Sequence, residues 1–354
     1  MFFLHNASPI TLGVLLGLLS AVAFGVTTPI IARMGGAMGP FTTAALLYGG
    51  AVVMSLAIRT AATSRGGRPL VRRDLPAIIG VAVLGGAVAP VLLAVGIART
   101  GGVTASLALN LEAIFTMFLA WLIHKEALGR RAIFGAIAML GGGVLLAVDT
   151  GGRTDVQLLG LVAVTGATVA WAGDNTFSRS LSDADPSAVV LAKGVIGAVL
   201  TTTIALIIRE PMPSLRDGLA IGACGATGYG LSLRLYLLAQ RRMGAGRTAS
   251  VFAAGPFIGA VVSFLVGDRA VSLWLELGAL AFALGVYLHV TERHRHPHRH
   301  DPMSHEHLHR HDDGHHDHVH EPLVEGEHTH GHEHRATQHT HEHAPDLHHT
   351  HDHE

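Results

Sequence analysis

One cysteine, Cys224, stands in 354 residues. It excludes an intrachain disulfide and any zinc site built on paired thiolates. Charge is scarce as well: Asp, Glu, Lys and Arg make up 14% of the chain, against 49% hydrophobic residues. So little charge cannot solvate the surface of a globular protein this long, and the apolar excess must face something other than water. No G-x-x-x-x-G-K-[ST] sequence occurs, so the chain supplies no ATP-driven step of its own. No hydrolase pattern is present either, and no enzymatic activity or required cofactor is expected. The arginines sit in short loops between apolar runs, which argues against nucleic-acid binding.

What is present divides sharply. Residues up to about 290 hold nearly all the apolar content, and the last 64 residues hold 23 of the 26 histidines, the others being His5, His124 and His289. Charge divides the same way. The tail carries 5 basic and 14 acidic residues, leaving 20 basic and 12 acidic in the rest, so −9 stands against +8 with histidine neutral.

Apolar runs between charged punctuation predict ten transmembrane helices, over approximately 10–32, 40–58, 75–98, 103–123, 131–148, 157–178, 187–208, 217–240, 247–266 and 272–290. One crossing needs roughly 20 apolar residues. The first run continues to Ile31 without a clear small-residue cleavage site, so it reads as a span rather than a cleaved signal peptide. The two halves resemble each other. Gly13 to Arg59 passes through Phe24-Gly25-Val26-Thr27-Thr28, and Gly160 to Arg209 passes through Trp171-Ala172-Gly173-Asp174-Asn175. Thr104-Ala105-Ser106 opens the fourth span and Thr248-Ala249-Ser250 the ninth. Five spans per half, an odd number, place the second copy upside down relative to the first, a signature of secondary transporters. The expected fold is therefore an all-α membrane protein of two inverted five-helix repeats, residues 1–150 and 151–290, followed by a disordered His-rich tail, 291–354.

Orientation follows from Lys and Arg. With the N-terminus cytoplasmic, the inner loops hold twelve (Arg59, Arg65, Arg68, Arg72, Arg73, Lys125, Arg130, Arg131, Arg179, Arg241, Arg242 and Arg247) and the outer loops six. Both termini are expected on the cytoplasmic side of the inner membrane.

The stretch Ala98 to Ser106, then Leu111-Glu112-Ala113-Ile114-Phe115, Trp121-Leu122 and Glu126, is echoed by Gln240 to Ala245, Pro256-Phe257 and Gly267-Asp268. On these residues the chain resembles the drug/metabolite transporter superfamily, and within it the EamA-type ten-helix exporters, over about 10–290. That family commonly shows a Glu-Pro pair in this helix and a Gly-Glu at its end. Here Glu112 lacks the proline, Pro256 lacks the glutamate, Lys125 precedes Glu126, and Asp268 stands for the second glutamate. The resemblance implies fold and transport class, and leaves substrate open among amino acids, nucleosides, sugars and other metabolites.

Ionisable residues within spans are costly and are functional candidates by default. Glu112 lies near the middle of span 4. Asp174 and Asn175 lie toward the inner end of span 6, with Lys193 on span 7 and Arg234 on span 8 at a similar level. Asp174 is expected to pair with Lys193 or Arg234, unless those two extend to the interface. Asn110, about 200° around the helix from Glu112, is not expected to share its face. Trp171 and Tyr236 line a substrate path or simply pack. Glu126 and Asp268 are expected to cap helix ends or pair with loop arginines, and Cys224 to be a small buried residue.

The tail histidines alternate: His294, His296, His298 and His300; His305, His307, His309 and His311; His328, His330, His332 and His334. Imidazole favours zinc, nickel and cobalt, and interspersed carboxylates complete a shell. The tail is therefore expected to hold divalent metal in many weak sites and, lacking apolar residues, to be disordered. The spans themselves contain no His-x-x-x-His or His-x-x-x-Asp pair, against a metal path through the body. The favoured function is export of a small organic metabolite with a metal-binding accessory tail. Alternatives are a divalent metal efflux permease fed by the tail, and a non-transporting membrane metal sensor. The expected partners are the lipid bilayer, a small-molecule substrate and divalent metal ions, with a homodimer left open.

Overall fold

The computed structural model describes residues 9–61, 67–124, 129–151, 155–181, 184–243, 245–269, 272–291, 294–300, 303–309, 328–334 and 337–343. It separates into a helical body, up to Glu292, and a second unit formed by the tail.

In the first half of the body, α1 (Pro9–Gly25) and α2 (Thr27–Met34) follow each other, then α3 (Pro40–Ala61). Next come α4 (Leu75–Val83), a π-helical turn at Leu84–Val88, and α5 (Ala89–Thr100). The half closes with α6 (Gly102–Ala108), α7 (Leu111–His124) and α8 (Arg130–Gly151). The second half follows the same order except that one unbroken helix stands in place of α1 and α2: α9 (Asp155–Ser178), α10 (Pro186–Ile207), α11 (Leu215–Gly225), a π-helical turn at Ala226–Leu231, α12 (Ser232–Met243), α13 (Ala245–Phe252), α14 (Ala254–Leu265) and α15 (Leu273–Val290).

The interruptions have local causes. Pro29 has no N–H to give to the Gly25 carbonyl, at the α1/α2 junction, and Pro256 withholds one from Phe252, at the α13/α14 junction. Pro90 does the same to Gly86, inside the first π turn. Between α6 and α7 no proline is present. There Asn110 turns its side-chain amide back onto the Leu107 carbonyl, at 2.9 Å, competing for a backbone acceptor.

Among the described residues, eight helices are long and apolar enough to cross a membrane: Thr11–Met34, Pro40–Ala61, Arg72–Thr100, Gly102–Ile123, Arg130–Asp149, Asp155–Leu181, Pro186–Ile207 and Thr248–Leu265. Two of the ten expected spans fall short of that description. The tenth is a shorter apolar helix, Leu273–His289. The eighth, α11 to α12, is helical throughout, but Arg234, Gln240, Arg241 and Arg242 dilute its apolar character.

Packing brings corresponding helices together in two places, α3 on α10 and α8 on α15, and crosses between spans in two others, α5 on α9 and α1 on α12. Small residues permit close approach. A Cβ added at Gly285 would lie 2.7 Å from the Gly135 carbonyl oxygen, and one at Gly142 3.1 Å from that of Gly278. The apolar core between the halves includes Leu47, Tyr48, Leu93, Val164, Trp171, Tyr229 and Phe282.

Charged groups secure the helix ends. Glu210 accepts from the Phe41 and Thr42 backbone N–H groups, at 3.2 and 2.7 Å, and so caps α3. Asp268 accepts from the Val103 N–H at 3.0 Å and caps α6, the role expected for it. Glu126 lies outside the described residues. Arg59 pairs with Asp185, and Arg68 with Asp74, each at 2.7 Å.

The tail departs from the expectation of no regular structure. Strands β1 (His294–His300) and β4 (Thr337–His343) pair antiparallel, as do β2 (Met303–His309) and β3 (His328–His334). Strict two-residue alternation is a strand period, and composition alone ignores it.

Candidate functional site

The break in the fourth span positions Glu112. The Glu112 and Ala113 N–H groups bond back only three residues, to Leu109 and Asn110, where the chain restarts as α7. Glu112 is thereby set at the start of α7, facing α9. Its Oε1 accepts from Asn175 Nδ2 at 2.9 Å, and the same amide reaches Thr116 Oγ1, one turn along α7, at 3.4 Å. Asn110 stays buried in the break and away from Glu112, and its Oδ1 has no protein partner.

The next-door residue on α9 points elsewhere. Asp174 forms a buried ion pair with Lys193 of α10. Ser178 donates to Asp174 Oδ1 at 3.4 Å, one turn along. The π turn at Leu84–Val88 brings backbone against this pair. A Cβ at Gly85 would press on the Asp174 carboxylate and lie 2.6 Å from Lys193 Nζ, so any larger residue must displace the ion pair. Tyr48 of α3, fully buried, donates its hydroxyl to the Gly85 carbonyl, and Lys193 Nζ lies 6.0 Å from its ring centroid.

Adjacent residues of one helix thus serve two different polar groups. Asp174 belongs to a closed pair of opposite charges. Among the described residues Glu112 has an amide and, beyond it, a hydroxyl. Paired or hydrogen-bonded burial is what intramembrane charge requires.

Of the two partners expected for Asp174, the structure brings Lys193 and not Arg234. Arg234 Nε instead donates to Ser187 Oγ at 2.9 Å, in the first turn of α10. There Asp185 caps the helix and already pairs with Arg59. Arg234 therefore belongs to the helix-end network.

An aromatic cluster adjoins the polar residues. Trp171 lies one turn before Asn175 on α9 and meets Phe24 edge-on at 6.0 Å between centroids. Phe24 contacts Phe252 at 5.4 Å and Tyr229 at 5.9 Å, and Phe252 contacts Tyr236 at 5.1 Å. Tyr229 also meets Tyr48 at 5.4 Å, and its buried hydroxyl has no protein partner. Tyr48, Gly85, Thr116, Ser178 and Tyr229 were not singled out from sequence. The sequence signal that marks this region is the pair of glycine-rich stretches Gly85-Gly86 and Gly228-Tyr229-Gly230, since small residues permit close helix contact. Cys224 is buried, as expected, near the Thr27 carbonyl.

Among the described residues no three His, Cys, Asp or Glu side chains gather as a metal site. His294, His296, His298, His300, His305, His307, His309, His328, His330, His332 and His334 lie on the four tail strands, with only their backbone described, and His311 lies outside the described residues.

Comparison with known proteins gives one consistent result. The model of the EamA-like transporter family matches residues 11–148 and again 158–291. An "Uncharacterized transporter" of Methanothermobacter thermautotrophicus is 26% identical over 286 residues, 76% of this chain and 83% of that one. "Uncharacterized transporter YyaM" of Bacillus subtilis is 27% identical over 206 residues, 55% of this chain and 66% of that one. A solved structure known as "Crystal structure of protein" shares the fold with a TM-score of 0.58 at 20% identity, covering 78% of this chain and 94% of that one.

Proposed function

Because this chain belongs to the EamA-like transporter family, matched over both halves of its helical body, we propose that it is a secondary transporter exporting a small organic metabolite across the inner membrane. The observation that carries the reading is the placement of Asp174 and Asn175. They lie side by side on α9 and reach in different directions, to Lys193 on α10 and to Glu112 on α7. Charge at this depth is too costly to keep for packing alone. In this reading the site forms where the two repeats meet, next to the discontinuous fourth span, as inverted-repeat transporters arrange it. The matching interruptions support two copies of one unit: π turns in spans 3 and 8, and breaks in spans 4 and 9. Glu112 exchanges a proton with the cytoplasm or the outside and couples flux to it. Both termini face the cytoplasm, and the His-rich tail takes up divalent metal there as an accessory device.

The test is flux. Proteoliposomes holding the full chain should accumulate or release organic solutes when a pH gradient is imposed, and Glu112→Gln should insert normally yet lose the response to the gradient. Unchanged gradient-driven flux in the variant overturns the coupling role.

A second reading is a divalent metal efflux permease fed by the tail. The strand register favours it, since His296 stands opposite His341 and His307 opposite His330. Zinc, nickel or cobalt flux through the protein, lost when residues 294–354 are removed, would establish it. Metal flux absent from both forms, with organic flux kept, leaves the first reading.

A further inference from the structure

Resting on the transport reading, we infer that the cargo is an organic cation with an apolar or aromatic body. Its positive charge meets the Glu112 carboxylate, and its body meets the aromatic cluster of Trp171, Phe24, Phe252 and Tyr236.

The first argument is charge balance. The charged candidates within the expected spans are Glu112, Asp174, Lys193 and Arg234. Asp174 and Lys193 satisfy each other. Arg234 is held at Ser187, at the helix end where Asp185 and Arg59 are already paired. Glu112 is left with an uncharged partner, the Asn175 amide, on one oxygen. A carboxylate in low dielectric without a counter-charge must take up a proton or a cation. An anion would bring like charge to it and finds Lys193, among the described residues, already engaged by Asp174, whereas a cation answers the carboxylate whenever no proton is on it. A divalent metal needs more ligands than converge among the described side chains.

The second argument is geometry. Trp171 and Asn175 are four residues apart on α9, so they share a face. From Trp171 the rings continue through Phe24 of α1 and Phe252 of α13 to Tyr236 of α12, each within 6.0 Å of the next. Faces of such rings attract cations and apolar bodies together. The buried Tyr229 hydroxyl, unpartnered and beside Phe24, supplies a polar handle for a cargo donor or acceptor.

Three probes of like size test this on the purified full chain in lipid nanodiscs, by titration calorimetry: benzyltrimethylammonium, its uncharged isostere neopentylbenzene, and benzoate. Saturable binding of the ammonium alone is expected. It should weaken about tenfold or more in Glu112→Gln and severalfold in Trp171→Ala. It should also weaken as pH falls, because a proton competes for the same carboxylate. Should Glu112→Gln fail to fold, Asn175→Ala serves instead, with an altered pH dependence of ammonium binding expected. Equal or better binding of neopentylbenzene or benzoate, or ammonium binding indifferent to Glu112 and Asn175, overturns the cation inference. Proteoliposome flux separates the two readings. Ammonium binding without flux of any solute overturns transport and keeps the cation site. Flux of anionic or neutral metabolites independent of Glu112 keeps transport and overturns the cation cargo.

Discussion

Gly85 shows how little room the buried ion pair has. Replacing it with alanine puts a methyl group onto the Asp174 carboxylate and beside the Lys193 ammonium. Overpacking of this kind costs about 1–3 kcal/mol, so Gly85→Ala should lower the unfolding temperature in detergent and reduce flux. Lys193→Met should do more, since an acid stripped of its buried partner costs about 3–5 kcal/mol. Adding Asp174→Asn to Lys193→Met should recover part of that stability, because no uncompensated charge is left. Thermal melts of the three variants check the order, and a double variant no better than the single would mean the pair is not a unit. Asp174, Asn175, Lys193 and Glu112 were legible in the sequence because charged and amide side chains stand out against apolar runs. Gly85 and Tyr48 were not, because a glycine and a tyrosine in a membrane helix look the same whether or not a charge lies against them.

Among the elements, the cap on α3 comes from far along the chain. Glu210 holds the first N–H groups of that helix from the loop after α10. Glu210→Ala should cost about 1 kcal/mol and speed amide exchange at residues 40–43, without changing the ammonium binding expected at Glu112. The tail strands make a separate element. The peptide 294–354 should bind several zinc or nickel ions at pH 7.5 and far fewer at pH 5.5. Only neutral imidazole ligates, and free histidine protonates below about 6.5. Equal heats at both values, or none at pH 7.5, would remove metal from the account. The helices of the body were readable from hydropathy, but their interruptions only in part. Pro29, Pro90 and Pro256 signal three of them, whereas the α6/α7 break depends on an asparagine side chain whose behaviour its neighbours decide.

At the scale of the molecule the two halves are alike in their helices but not in every contact. The broken spans meet along α6 and α14: a Cβ at Gly102 would lie 3.0 Å from Ser263 Cβ, and one at Gly259 3.3 Å from Ser106 Cβ. The Ser106 and Ser263 hydroxyls are buried there without partners among the described residues, and this seam is expected to open to water during transport. A cysteine pair at 102 and 263, with Cys224 replaced by serine, should close to a disulfide with little movement, given the usual Cβ separation of about 3.5–4.5 Å. Oxidation should then stop flux and reduction restore it. Flux unaffected by complete cross-linking would rule out movement at this seam. A reporter fused after Glu354 should read cytoplasmic, and one placed near Gly152 external; the reverse would overturn the orientation.

By itself the sequence determined that this chain is a membrane protein in two similar halves with a histidine-rich tail. Apolar length, charge scarcity and repeated motifs are one-dimensional properties, and the bilayer reads them directly. Tertiary structure decided which charges meet. Asp174 takes Lys193 and leaves Arg234 to the helix end, and Asn175, one residue along, turns to Glu112. Neighbouring positions on a helix differ by about 100°, so a single residue step changes the partner helix. Which helix waits there depends on how the two halves pack, and no local pattern records that.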